Sequence, residues 1–178
     1  IQPPAHSSAV EWPACKSWSG FAGRAKTSLS TTRPPTTALF TEIRATMVQI
    51  IADTLACLDP EFAHAHNIPI IPQVINIGNE SYYEGVDIDI ETFMKRLTSS
   101  PVMPKTAAPP PELFVKEFER LAPLGEPILC IHPSAEISGT VRSATIAAMD
   151  FPHLDIRVVD TRLIASPLAD IIKVAAEC

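Results

Sequence analysis

Three short polar clusters in this 178-residue chain have the composition of an anion site. They are Asp53-Thr54, then His132-Pro133-Ser134 running on to Ser138-Gly139-Thr140, and Asp160-Thr161-Arg162. Each stands at the end of a short apolar run. Hydroxyls gathered with backbone N–H groups at the positive end of a helix suit a carboxylate or a phosphate. The same residues also have plain structural uses. Serine and threonine after a strand commonly cap the helix that follows, Asp53 and Asp160 can each cap a helix or a turn, and a strand-end histidine such as His132 is more often structural than catalytic. Convergence on one edge of a sheet favours a site, and by itself it implies a small anionic ligand and nothing finer.

Other chemistries find little material. Cys15, Cys57, Cys130 and Cys178 are far apart, with no C-x-x-C and no clustered histidine, so neither a zinc site nor a disulfide framework is expected. Cys57 and Cys130 lie in apolar stretches and read as small core residues, and a reducing, cytoplasmic setting fits them. No G-x-x-x-x-G-K-[ST] or G-x-G-x-x-G occurs, and the chain has only 6 glycines with which to cradle a nucleotide. No metal and no cofactor is expected. The enzymatic alternative is a phosphoryl-transfer or hydrolytic reaction with Asp53 as nucleophile. It lacks the second aspartate two residues further on, where Leu55 stands.

The elements that must position these clusters alternate between strand and helix. Val48–Ala52 is predicted as a buried strand, followed by a helix from Pro60 to His66 opened by Asp59. Ile70–Ile77 is predicted as a second strand, with a turn at Gly78-Asn79 and a possible return strand at Ser81–Tyr83. Asp89 caps a helix over Ile90–Leu97 with Phe93 and Leu97 on one stripe, and residues 98–111 read as a Ser/Thr/Pro loop. Glu112–Leu121 is amphipathic, with Leu113, Phe114, Phe118 and Leu121 inward. Pro127–His132 and Ile156–Asp160 are further strands, and helices run from Ser138 to Met149 and from Ser166 to Ala176. Apolar strand runs separated by helices imply an α/β fold: a Rossmann-like, mostly parallel sheet with helices on both faces. Its strands share one carboxyl edge, where ligands bind.

Composition divides at Met47. Residues 1–46 carry 5 basic and 2 acidic groups, 13 Ser/Thr and both tryptophans, whereas residues 47–178 carry 9 basic and 18 acidic groups. The leader has no sustained period and cannot bury enough apolar area to offset its ordering entropy. It reads as a transit peptide, a disordered tail or upstream DNA translated in frame. The last is preferred because Met47-Val48-Gln49-Ile50-Ile51 runs straight into a strand. The net charge of −6 argues against a nucleic-acid partner, and no apolar run approaches the ~18 residues of a membrane span.

From Met47 onward the chain resembles the DegV family of fatty-acid-binding proteins. The resemblance lies in five pieces in register: Ile50-Ile51-Ala52-Asp53-Thr54; Ile70-Ile71-Pro72 with Tyr83-Glu84-Gly85-Val86-Asp87-Ile88; Pro104-Lys105-Thr106-x-x-Pro109; Ile131-His132-x-Ser134-x-x-Ile137-Ser138-Gly139-Thr140; and Val158-Val159-Asp160-Thr161. It covers residues 47–178 and implies the first domain of a two-domain protein, cut before the second. It also implies a non-catalytic carrier of one long-chain fatty acid such as palmitate, which some members of the family present to a fatty acid kinase. The family's carboxylate-binding hydroxyls fall on Thr106 and Ser138, assisted by the backbone around Gly139, with Thr140, Asp53 and Thr54 completing the expected ligand-binding set. The chain departs from the family pattern at Leu55, Ala107-Ala108 and Ala135, each replacing a polar residue.

Overall fold

A computed structural model describes residues 47–178; the leader readings and Cys15 lie outside the described residues. In chain order the elements are β1 (Gln49–Asp53), α1 (Pro60–Ala65), β2 (Ile70–Ile71), β3 (Val74–Ile77), β4 (Glu80–Tyr83), α2 (Ile90–Ser99), β5 (Lys105–Ala107), α3 (Pro111–Leu121), β6 (Ile128–His132), α4 (Thr140–Ala148), β7 (Ile156–Asp160) and α5 (Ser166–Glu177). β2, β1, β6 and β7 form a parallel sheet in that order, and β4, β3 and β5 form a smaller antiparallel one.

The uninterrupted apolar runs of β1 and β6 follow from burial on both faces. Successive side chains of a strand point to opposite faces. Ile51 therefore joins Ile128, Cys130, Phe114, Phe118, Leu121, Ala144 and Ala147 in one core, while Ile50, Ala52 and Ile131 join Ala63, Leu168 and Ile172 in another. Helices α3 and α4 cover the first face, and α1 and α5 the second. The architecture is the expected α/β sheet between two helical layers.

Local sequence accounts for the helices. Pro111 occupies the first turn of α3, where its missing N–H costs nothing. Phe114, Phe118 and Leu121 follow at the spacing of one helical stripe and are buried. Asp59 and Asp89 cap α1 and α2 by accepting backbone N–H groups, Asp59 from Glu61 at 2.8 Å and Asp89 from Thr92 at 2.7 Å. Helix α4 has no side-chain cap; its Ala144 and Ala147 are small enough to lie directly on the sheet.

Three expectations need correction. The strand expected over Ile70–Ile77 is two strands, because Pro72 interrupts it and the halves enter different sheets. The loop expected over 98–111 contains β5, whose Thr106 pairs with Ile75 of β3. Cys57 is exposed rather than in the core. It follows the 3₁₀ turn at Thr54–Ala56, with φ at +49°, which turns it out of the sheet.

Arg96 anchors α2 to the small sheet by donating to Glu80 Oε2 and to the Tyr82 hydroxyl, both at 2.6 Å. Under it Ile75, Ile77 and Ile88 make a third, small core with Tyr82 and Phe93. No helix among the described residues is long and apolar enough to cross a membrane.

Burial pushes the Cys130 thiol up to about 12. Because the thiolate is the nucleophile, Cys130 is expected to alkylate on the order of a thousandfold more slowly than an ordinary exposed thiol at neutral pH. Iodoacetamide labelling read by peptide mass spectrometry should mark Cys57 and Cys178 in the folded protein. It should mark Cys130 only after unfolding; equal labelling of all three would contradict the buried environment.

Candidate anion-binding edge

The carboxyl edge of the parallel sheet is built on a buried pair. Asp53 ends β1 and His132 ends β6, and both side chains are wholly buried. Asp53 Oδ2 accepts from His132 Nδ1 at 2.7 Å, and Oδ1 accepts the Leu55 backbone N–H at 2.9 Å, closing the turn after the strand. Both carboxylate oxygens are thus engaged internally. The Phe114 ring stands edge-on to the imidazole with centroids 5.3 Å apart, and His132 Nε2 is buried without a hydrogen-bond partner. This places Asp53 in the wall of the site, away from any approaching substrate, and weighs against its use as a nucleophile.

Thr54 is likewise occupied. Its hydroxyl donates to Glu84 Oε2 at 2.5 Å and accepts the Gln73 backbone N–H at 3.1 Å. Thr140, the first residue of α4, is wholly buried, with Oγ1 3.1 Å from Gln73 Nε2 and 2.7 Å from Ser138 Oγ. Ser138 is half-buried, and Gly139 and Thr106 are exposed. Of the six residues picked out from sequence, Thr106 and Gly139 are exposed, Ser138 and Thr54 are half-buried, and Asp53 and Thr140 are wholly buried.

Thr106 belongs to the antiparallel sheet and Ser138 to the loop before α4, so their association depends on how the two sheets meet. Ala108 lies two residues beyond Thr106, and its Cβ is 3.2 Å from where a Cβ on Gly139 would be. Gly139 has φ −74°, which any residue adopts, so what it supplies is room. A side chain there would push back the segment that carries Thr106.

The third polar cluster serves the turn after β7. Asp160 Oδ1 accepts the Arg162 backbone N–H at 2.9 Å, and the Thr161 hydroxyl donates to the His132 carbonyl at 2.8 Å. Ser134 Oγ accepts the Glu136 N–H at 3.3 Å in the loop leading to Ser138. Among the described residues no group of three or more His, Cys, Asp or Glu is placed to hold a metal ion.

Sequence reasoning missed Gln73. It is 2% exposed, and it joins the end of β2 to the start of α4. An amide directly after a proline, inside what looks like one apolar strand, was the available signal.

The family model described as "Uncharacterised protein, DegV family" matches residues 47–178. A DegV domain-containing protein of Clostridium perfringens is 33% identical over 129 residues, which is 72% of this chain and 46% of that protein. Another, from Streptomyces coelicolor, is 36% identical over 132 residues, covering 73% and 46%. Among solved structures, a stearic acid-binding protein from Eubacterium ventriosum superposes with a TM-score of 0.67 at 26% identity, covering 74% of this chain and 47% of that one. DegV of Bacillus subtilis, described as a fatty acid binding protein, gives 0.65 at 27% identity, covering 73% and 46%. The chain spans about half the length of the relatives it matches.

Replacing Asp53 by Ala strands the buried His132 Nδ1 donor and opens the turn at Leu55. A loss of about 3 kcal/mol of folding stability is expected. Asp53→Asn, which keeps one acceptor, should lose less. Urea unfolding followed by circular dichroism checks both, and a stability unchanged in Asp53→Ala would remove the pair from its structural role.

Proposed function

Because the chain belongs to the DegV family, we propose that it takes part in holding one long-chain fatty acid such as palmitate. The carboxylate lies at the edge where Thr106 and Ser138 face outward, with the backbone at Gly139 beside it. The observation that carries this reading is the close approach of Ala108 to Gly139, which brings the Thr106 segment up to the Ser138-Gly139-Thr140 loop. Relatives that bind stearic acid and other fatty acids support the ligand class.

Magnitudes divide the labour between head and tail. A hydrogen bond to a charged group contributes roughly 1.5–3 kcal/mol. Burial of a dozen or more methylenes at about 0.8 kcal/mol each contributes on the order of 10 kcal/mol. The tail therefore supplies most of the affinity, and the two hydroxyls decide which end faces them. Exposed apolar side chains stand beside each hydroxyl in the chain: Ile137 at 63% exposure before Ser138, and Met103 at 75% three residues before Thr106. They are the apolar surface that an acyl chain would cover.

The role is that of a carrier. Asp53, the residue an enzymatic reading needs, has both oxygens engaged inside the protein. The full reading is a cytoplasmic, non-catalytic protein without metal or cofactor, able to present its fatty acid to a fatty acid kinase.

Native mass spectrometry of the 178-residue chain after exposure to C14–C18 fatty acids tests this. One bound fatty acid per chain is expected, with Thr106→Ala and Ser138→Ala each weakening it about tenfold or more. No bound fatty acid, or binding indifferent to both substitutions, would overturn the assignment.

A further inference from the structure

Gln73 lies behind the anion-binding edge and touches none of its outward-facing groups except through Thr140. Its Nε2 can only donate, so at 3.1 Å it occupies a lone pair of Thr140 Oγ1. Thr140 is wholly buried, and its hydroxyl proton needs an acceptor inside the protein. Besides Gln73, the side-chain partner in reach is Ser138 Oγ at 2.7 Å. Ser138 Oγ also accepts the Thr140 backbone N–H at 3.3 Å. With both its lone pairs engaged, Ser138 has its proton left to offer, and it is the half-buried, outermost member of the chain.

We infer that Thr140, buried and offered only a donor by Gln73, sets a one-way relay, Gln73 to Thr140 to Ser138, which turns the Ser138 hydroxyl outward as a donor. A carboxylate only accepts, so this orientation selects a carboxylate head group over a neutral alcohol with the same tail. Each bond in the relay also polarises the next and makes Ser138 the stronger donor. The ligand identity rests on the fatty-acid reading above, whereas the direction of the relay rests on the burial of Thr140 and the amide nitrogen that Gln73 turns to it.

Two substitutions separate this role from a merely structural one. In Gln73→Glu the new carboxylate only accepts, so Thr140 donates to it, Ser138 donates to Thr140, and lone pairs face the ligand. In Gln73→Leu, Thr140 keeps Ser138 as its acceptor and the direction survives. Palmitate and 1-hexadecanol, which share a tail and differ in head group, are compared on the 178-residue chain at about pH 9, well above the ordinary carboxylate range. The unmodified chain is expected to prefer palmitate about tenfold or more. Gln73→Glu should abolish that preference by weakening palmitate and leaving 1-hexadecanol unchanged, and it should also weaken methyl palmitate, an uncharged head group that only accepts and that charge repulsion spares, while Gln73→Leu should keep the preference. Equal losses for both ligands in both variants, or a preference that survives in Gln73→Glu, would overturn the inference.

The ligand-free protein gives a second readout. The buried Thr140 hydroxyl proton should exchange slowly and show a nuclear Overhauser effect to the Ser138 β protons, in the unmodified chain and in Gln73→Leu. If that contact is missing the relay does not exist, whatever the binding data. If it is present while the unmodified chain binds neither lipid, the fatty-acid reading falls and the relay stands. Should Gln73→Glu fail to fold, the Leu variant and this contact decide the matter.

Discussion

Between Ile71 and Val74 the chain has to leave one sheet and enter another without stranding buried backbone groups. Pro72 has no N–H to satisfy. Gln73 is buried, and its backbone must pair with something other than a strand neighbour. Its N–H goes to the Thr54 hydroxyl and its carbonyl accepts the Glu84 N–H at 2.9 Å, while its side chain reaches Thr140. One residue thereby joins the turn after β1, the end of β4 and the start of α4. The position of the antiparallel sheet against the parallel one follows from these bonds, and so does the approach of Ala108 to Gly139.

The carboxyl edge contains two kinds of polar group with different tasks. Asp53, His132, Thr140 and Gln73 are buried and bonded to one another or to nearby backbone, and they give the edge its shape. Gly139 and Thr106 are exposed and Ser138 is half-buried. A buried polar group without partners costs about 1–3 kcal/mol, so the inner set cannot be released to a ligand cheaply. The outer set can change partners at little cost. Apart from the orphaned His132 Nε2, the inner side chains are paired within the protein, which leaves the outer hydroxyls as the groups with bonding capacity to spare.

Much of the fold was legible because its causes are local. A short apolar run between turn-formers, such as Ile128–His132, reads as a strand covered on both faces. Phe114, Phe118 and Leu121 behind Pro111 read as one stripe of a helix, and Asp89 announces the start of another. The misses share a different cause. Lys105–Ala107 has no alternating pattern, and it is a strand only because Val74–Asn76 offers a free edge for it to pair with. Ile70–Ile77 looks continuous because both halves are apolar; the division at Pro72 reflects two destinations that local composition does not encode. Cys57 has apolar neighbours in sequence and none of their burial, because a left-handed turn carries it outward.

Local sequence is enough for the α/β alternation, the order of the polar clusters along the chain and the family to which residues 47–178 belong. All three depend on periodicity, turn chemistry and short motifs, which are properties of neighbouring residues. Which hydroxyls face outward and which are walled in is set by the folded arrangement. Those roles depend on partners far away in the chain: Asp53 on His132, 79 residues on, and Gln73 on Thr140, 67 residues on. A side chain's neighbours in sequence set its propensity, and its neighbours in space set whether its proton or its lone pair is free.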